Sequence, residues 1–275
     1  MLRQQSFRPY PETHFAPAGE KRAASAQRTP RQNQLLAALP AVDYGRLLPH
    51  LEPVSLPLGC TVHEAGAQER YLYFLTAGVV SRFHLTRSGA SAEFALTGNE
   101  GVIGIATFLG GDSTTSRAMV LSSGYAYRLG ASQVRREFER GGPLVNLLLR
   151  YTQALIAQMM QTAACNRHHS IEQQLCRSIL LCLDRSPSNE LTMTHEQMAD
   201  MLGVRREGVT EAAGHLQTAG LIRYSRGHIA VQDRPKLEKR TCECYSAVRR
   251  EYYRLLPNFS NAKSFSGDAL ATLQL

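Results

Sequence analysis

The sequence predicts an α+β chain of two domains: an antiparallel β-rich N-terminal half, a long helix, and a C-terminal winged helix-turn-helix. Three observations predict this. From Glu52 to Leu129 short β-rich runs alternate with glycine turns, at a spacing of roughly 8–12 residues that suits a sandwich or roll. From Pro143 to about His168 the apolar period becomes helical and meets no breaker. Leu191 to Arg234 then reads as helix, tight turn, helix, hairpin. Two helices joined by such a turn form the unit whose second helix enters the major groove of DNA.

The 275 residues suit two modest domains with cores of their own. Five segments are expected: a tail at 1–32, a β-rich domain at 33–141, the long helix at 142–168, the winged helix-turn-helix at 169–257, and a tail at 258–275. Residues 1–32 are rich in Pro, Gln, Ser, Ala and Arg without apolar period, a composition of disorder, and 258–275 follow Pro257 in the same way. The net charge of +8 favours an anionic partner. The first 34 residues carry six Lys/Arg against two acids, however, so half the excess lies in the tail. Affinity for an anion must therefore rest on where charges sit. No apolar run reaches the 18 or so residues of a membrane span. MLRQQSFRPYPETHF lacks the apolar centre of a secretion signal, which makes the cytoplasm the expected compartment. No nucleophile–base set, metal pair or GxxxxGK[ST] phosphate loop is present, so an enzyme is not expected.

Residues 35–39 and 42–51 read as short helices bracketed by Pro40 and Pro49. Strands are expected at 54–58, 61–63, 71–75, 78–85, 90–96, 116–121 and 124–129, and a short helix at 131–138 ends at Gly141-Gly142. In the long helix Leu148, Thr152, Leu155, Met159, Thr162 and Asn166 recur at spacings of four and three, a heptad seam that predicts a dimer interface. Leu147, Tyr151, Ala154, Gln158 and Gln161 widen the stripe, as if one side packs on the β-domain. Ser170 caps a helix over 171–183, with His168-His169-Ser170 as the interdomain hinge. Thr194 and Gln197 form a capping box ahead of Met198, Met201 and Leu202, and Gly203 makes the turn. A second helix from near Arg205 buries Val209, Ala212, Ala213 and Leu216. A basic hairpin follows over 221–231, and one C-terminal helix runs over 234–256 to Pro257.

The outer face of the second helix carries Arg205, Arg206, Glu207, Thr210 and Glu211. Arginine bonds guanine O6 and N7 in a bidentate way, and glutamate accepts from cytosine N4. A helix N-terminus also favours a phosphate oxygen. A merely solvated face would look similar, but Arg226 and His228 on the hairpin would lie beside the DNA backbone, which favours a DNA reader. Of the six cysteines, Cys60, Cys165, Cys176, Cys182, Cys242 and Cys244, none forms C-x-x-C. Cys165-Asn-Arg-His168-His169 has the look of ligands on one helical turn, and Cys242-Glu-Cys244 of a thiol pair. Each is read as packing, with no metal and no cofactor assigned.

MLGVRREGVTEAAGHLQTAGLI resembles the DNA-reading segment of the cyclic-AMP receptor protein/FNR (Crp/Fnr) family of transcription regulators. Arg206 and Glu207 match the first part of that family's hallmark. Thr210 and Glu211 stand where it carries Ser/Gly–Arg, so the half-site read here should differ. The resemblance spans about Asn33 to Pro257 and implies a cyclic-nucleotide-binding β-roll, with residues 98–120 as its phosphate-binding cassette. It also implies that the long helix forms a two-fold dimer interface and lines the nucleotide pocket. The effector-pocket candidates are then Gly104, Ile105, Ser116, Arg117 and Met159. Ile105 replaces the glutamate for the ribose, and Ser116 holds the place of the phosphate-binding arginine. Arg117 comes one residue late, which on a strand means the opposite face. Met159 and Met160 stand where nucleotide binders carry hydroxyls. Iron–sulfur members cluster cysteines near the N-terminus, where this chain has only Cys60. The expected protein is a dimeric, sequence-specific regulator with a degenerate effector domain. Its expected partners are double-stranded DNA with a palindromic operator, a second copy, and RNA polymerase, with no membrane and an unassigned effector. The alternative is an interaction module that uses the roll to dock proteins.

Overall fold

The structure, a computed structural model, describes residues 29–87, 89–186 and 188–257. A 3-10 turn at Pro30–Gln32 precedes α1 (Gln34–Ala37) and α2 (Ala41–Leu47). The chain is thus ordered from Pro30, inside the segment read as a tail, because Pro30 is buried and Asn33 anchors the start of α1. Asn33 accepts from the Leu35 and Leu36 amides and donates to Leu75 O and Gly101 O, both at 2.9 Å. Residues 1–28 and 258–275, the rest of the two expected tails, lie outside the described residues.

The roll contains β1 (Glu52–Leu56), β2 (Thr61–His63), β3 (Tyr71–Leu85), β4 (Ser91–Thr97), β5 (Val102–Ile103), α3 (Ala106–Leu109), β6 (Arg117–Gly130) and α4 (Ala131–Arg140). The strands form one antiparallel sheet in the order β1-β6-β3-β4, with β2 on β6 and β5 on β3. Two pairs of expected strands are each one continuous strand: 71–75 with 78–85, and 116–121 with 124–129. Glycines make the continuity possible. At Gly78, with φ +87°, and at Gly124 the two strands cross so closely that a Cβ on Gly124 would lie 2.0 Å from Ala77 O. The sheet can therefore bend there without breaking. Val54, Leu56, Tyr73, Leu75, Val80, Ile103, Ala118, Val120 and Ala126 fill the roll's interior.

Then come α5 (Pro143–His168), α6 (Ile171–Asp184), β7 (Glu190–Thr192), α7 (His195–Leu202), α8 (Arg206–Thr218), β8 (Ile222–Ser225), β9 (His228–Val231), α9 (Arg234–Arg240) and α10 (Glu243–Leu255). Both expected caps form, since Ser170 with Gln173 and Thr194 with Gln197 make reciprocal boxes. The hairpin gains a third strand that no sequence pattern marks, β7, giving the order β7-β9-β8. The C-terminal helix is two helices. Asp233 caps α9, which stops at Thr241, and Cys242 starts α10, which folds back along α5.

A buried polar knot ties roll, long helix and C-terminal domain together. Arg185, just past α6, donates to Glu100 of the roll (Nε–Oε1 2.7 Å), both side chains being 2% exposed. Tyr252 of α10 donates to Gln158 of α5 at 2.8 Å beside it. Breaking such a pair strands a buried charge, at a cost of about 3–5 kcal/mol.

Candidate DNA interface and effector pocket

The reading head is built on α7 and α8. Gly203, with φ +66°, closes α7 in the left-handed conformation and lets the chain turn. Val209, Ala212, Ala213 and Leu216 are buried beneath α8, which leaves its opposite face outward. Arg205 is the residue before the first turn, and Arg206, Glu207, Thr210 and Glu211 come after it, all exposed. Arg206 lies 3.9 Å from Glu196, an exposed and weak pairing. Among the described residues, the Arg205, Glu207 and Glu211 side chains meet no polar partner. Thr210 is committed, bonding Arg206 O and His195 Nδ1, each at 3.0 Å. Arg226 (φ +49°) and Gly227 (φ +81°) form the two-residue turn between β8 and β9, the conformation hairpins favour. His228 is next, exposed, with Nδ1 3.3 Å from Thr192 Oγ1. Gln217 of α8 accepts from the Tyr224 amide at 2.8 Å, fixing the wing against the helix. All seven residues expected to read DNA are thus exposed, five at the start of α8 and two on the wing. Arg223 is exposed on β8 as well.

Inside the roll the cassette closes on itself. Gly104 has φ +102°, and a Cβ there would meet Tyr71 O at 2.3 Å, so only glycine fits. Thr107 Oγ1 donates to Gly104 O at 2.6 Å. The Ala106 amide, which opens α3, donates to the buried Glu69 carboxylate at 2.8 Å. His63 Nδ1 lies 3.3 Å from the other Glu69 oxygen. Burial raises the Glu69 pKa, while burial and then Arg82 lower that of His63 to about 4. Arg82 is spent on Thr97 Oγ1 and Val102 O. Ser116 points inward with Ala118 and Val120 and bonds Thr114, whereas Arg117 points outward and pairs with Glu64 (Nη2–Oε1 2.8 Å). Arg117 also borders a cavity of about 220 Å³ between the roll and α7, lined by Ser81, Phe83, Glu93, Met119 and Gln197 among others.

A Crp-like helix-turn-helix domain model matches residues 173–240, and a cyclic nucleotide-binding domain model matches 53–140. The chain belongs to the Crp/Fnr family. Solved structures agree in fold. A protein assigned to the crp/fnr transcriptional regulators from Eubacterium rectale shares 18% identity at a TM-score of 0.62, covering 76% of this chain and 98% of its own. FixK2 from Bradyrhizobium japonicum shares 17% at 0.60, covering 70% and 98%. The c-di-GMP-responsive regulator CLP from Xanthomonas campestris shares 15% at 0.59, covering 70% and 100%. No curated protein matches the chain by sequence. This Crp/Fnr chain is therefore a transcription regulator with a cyclic nucleotide-binding domain and a DNA-binding helix-turn-helix, not an enzyme. None of its described helices is long and apolar enough to cross a membrane.

Two expectations about this Crp/Fnr regulator need correction. Leu148, Leu155 and Thr162 were expected on a dimer seam, yet they are 0%, 1% and 4% exposed, packed within the protomer. The roll and α10 cover more of α5 than the heptad pattern suggests. The outward apolar seam lies one residue on, at Leu149, Ile156 and Met160, with Met159 exposed beside them and Thr152 half-buried. Met159 consequently does not face its own roll. Its neighbour Gln158 does, donating to Leu96 O at 3.4 Å. The second correction concerns the cysteines, read as two separate features of the chain. Cys165, His169, Cys242 and Cys244 converge, with their donor atoms all within 4.8 Å of one another, while His168 stays exposed outside the group. The i,i+4 spacing of Cys165 and His169 was the available sign. The break that starts a helix at Cys242 was not visible. Glu69, Arg82 and the Glu100–Arg185 pair were missed too, and no local motif marks them.

Proposed function

We propose that the protein is a homodimeric, sequence-specific DNA-binding regulator whose roll does not take cyclic AMP or cyclic GMP. One observation carries the DNA reading: Arg205, Arg206, Glu207 and Glu211 stand exposed at the N-terminal end of a helix whose other face is buried, beside a wing that presents Arg226 and His228. A helix entering the major groove by this end offers those side chains to base edges, and the wing offers its cations to phosphate. The dimer reading is supported by the outward seam of Leu149, Ile156, Met159 and Met160. A single head would see few base pairs. Two heads would read a palindrome with half-sites roughly 34–36 Å apart. RNA polymerase is a further partner for such a protein.

The reading of the roll rests on its internal pairing. The Ala106 amide, a natural phosphate donor, holds Glu69 instead. Ile105 offers no carboxylate, Ser116 no charge, and Arg117 faces away. Each charge-assisted hydrogen bond lost is worth about 1.5–3 kcal/mol, so cyclic-nucleotide affinity should fall by several decades. Genomic binding-site selection, followed by titration of the selected duplex at several salt concentrations, tests the DNA reading. Affinity should fall steeply with salt as phosphate contacts release counterions, and binding that ignores salt or sequence would reject it. Calorimetry with cyclic AMP and cyclic GMP tests the roll, where micromolar binding would overturn the second clause.

A further inference from the structure

We propose that Cys165, His169, Cys242 and Cys244 form a closed, mononuclear zinc site that fastens the start of α10 to the last turn of α5. Cys165 and His169 are one helical turn apart and share a face. Cys242 is the N-cap of α10, and Cys244 lies in its first turn. The four side chains thus come from two helix ends, distant in sequence, that the fold brings together.

Two of the donor pairs stand at the spacing of ligands on one tetrahedral ion. Cys165 Sγ lies 3.6 Å from Cys242 Sγ, and Cys244 Sγ lies 3.4 Å from His169 Nδ1. Thiolates about 2.3 Å from zinc at the tetrahedral angle stand ~3.8 Å apart, and opposed ligands of any one ion stay within ~4.6 Å. The four donors all lie within 4.8 Å of one another, so closing on an ion would draw the widest pair together by about 1 Å. A polynuclear cluster would hold its ligands further apart. Three sulfurs and one imidazole form a soft donor set suited to zinc, and four protein ligands leave no open position for a substrate. The site is therefore structural.

The surroundings have the form of an outer shell. His169 turns its other nitrogen, Nε2, to Glu243 Oε1 at 3.3 Å, the carboxylate–histidine arrangement that orients a metal-binding ring. Gln161 Nε2 donates to Cys244 Sγ at 3.0 Å. The three thiols are buried, at 0%, 5% and 0% exposure, as a cluster separate from the apolar core. By contrast, Cys176 and Cys182 pack among the aliphatic side chains of that core. The chain between the two ligand pairs contains α6 to α9, so the ion would close the DNA-binding domain into a loop anchored on α5. Cys165, His169, Cys242 and Cys244 all fall outside the segments matched by the two family models, 53–140 and 173–240.

The test uses the full chain purified from zinc-supplied cells under reducing conditions, and it depends on neither DNA binding nor dimerisation. About one zinc per chain should survive gel filtration. Cobalt(II) exchanged into the protein should give the tetrahedral spectrum with strong thiolate charge transfer. Cys165→Ser and Cys244→Ser should each lower zinc content at least about tenfold, whereas Cys60→Ser should keep it. Should the ligand variants fail to fold, the wild-type cobalt spectrum decides alone. Chelation of the wild type should lower its Tm and speed amide exchange at 161–169 and 241–248. Reduced, folded wild type without zinc, a cobalt spectrum that is octahedral or lacks thiolate bands, or a Cys165–Cys242 disulfide in protein purified without oxidant would each overturn the proposal.

Discussion

On the reading head Arg205, Glu207, Glu211 and Arg226 are exposed and meet no partner among the described residues. Inside the roll Glu69 is tied to Ala106 and His63, Arg82 to Thr97 and Val102, and Ser116 to Thr114. Both regions are rich in polar groups, but the roll spends nearly all of its own, the buried His63 Nε2 being an exception. A buried polar group must be paired within the protein or lose about 1–3 kcal/mol, so a roll without a charged ligand has to satisfy itself. A surface that meets DNA leaves its donors to water until the partner arrives. The contrast separates a surface with polar groups left over from one that has spent them better than the density of charge does.

The largest effect should come from the seam proposed to join two heads. Ile156→Glu places a charge on the outward face of α5, and Leu155→Glu places one in the core. We expect Ile156→Glu to fold, sediment as a monomer, and bind the operator about 10²–10⁴-fold more weakly, because the second head no longer adds avidity. Leu155→Glu should instead be insoluble or unfolded. A wild type that sediments as a monodisperse monomer at micromolar concentration would break the dimer reading.

The same helix shows how much could be read from sequence. Its length, Pro143 start and amphipathic character were legible, as were both capping boxes and the buried stripe of α8, because each depends on residues a turn apart. Which of two adjacent stripes faces out was not legible. That depends on α10 folding back, a contact between residues about a hundred positions apart, exemplified by Tyr252 and Gln158. The exposure of Arg205, Arg206, Glu207, Thr210 and Glu211 was legible because an exposed face is what a buried stripe leaves over. Glu69 was not, since only β3, α3 and their register bring it to the Ala106 amide. The metal ligands stand between these cases. Each pair was visible as a spacing, and their meeting was visible only in three dimensions.

Glu93 sharpens the comparison, being a roll carboxylate that is poorly provided for. It borders the cavity facing Asp200 and Gln197 of α7, and it accepts from Ser81 at 2.6 Å. Burial pushes its pKa up to about 7, against the smaller lowering effects of Ser81, Arg177 and Arg185. The unfolded chain releases this proton at the ordinary carboxyl value, near 4.5. Below that value both states hold it. Between the two values only the folded state does, so the stability linked to Glu93 is full at low pH and is lost as pH rises through about 7. The loss is on the order of 3 kcal/mol. Urea titrations at about pH 5 and about pH 8 should therefore differ less for Glu93→Gln than for wild type. Equal pH dependence would show that Glu93 is not the group responsible.

The smallest effects divide the head itself into base-reading and phosphate-holding parts. Arg206 stands in the first turn of α8 with only the distant Glu196 carboxylate near it, free to reach a base edge. Arg226 sits at the tip of the wing turn, where a duplex would present its backbone. Arg206→Ala should cost about 1–3 kcal/mol on the selected site and relax preference at one base pair per half-site. Arg226→Ala should weaken all duplexes alike and make the salt slope shallower, since it removes a phosphate contact and no base contact. Glu211, exposed one turn after Glu207, cannot donate to guanine. Glu211→Arg should move the preferred base toward guanine at the position it faces. Binding-site selection on wild type and the three variants at one fixed salt concentration reads all of this in a single comparison. If Arg206→Ala returns the wild-type consensus with undiminished discrimination, the exposed end of α8 does not enter the groove, and the unpaired charges there are only a solvated surface.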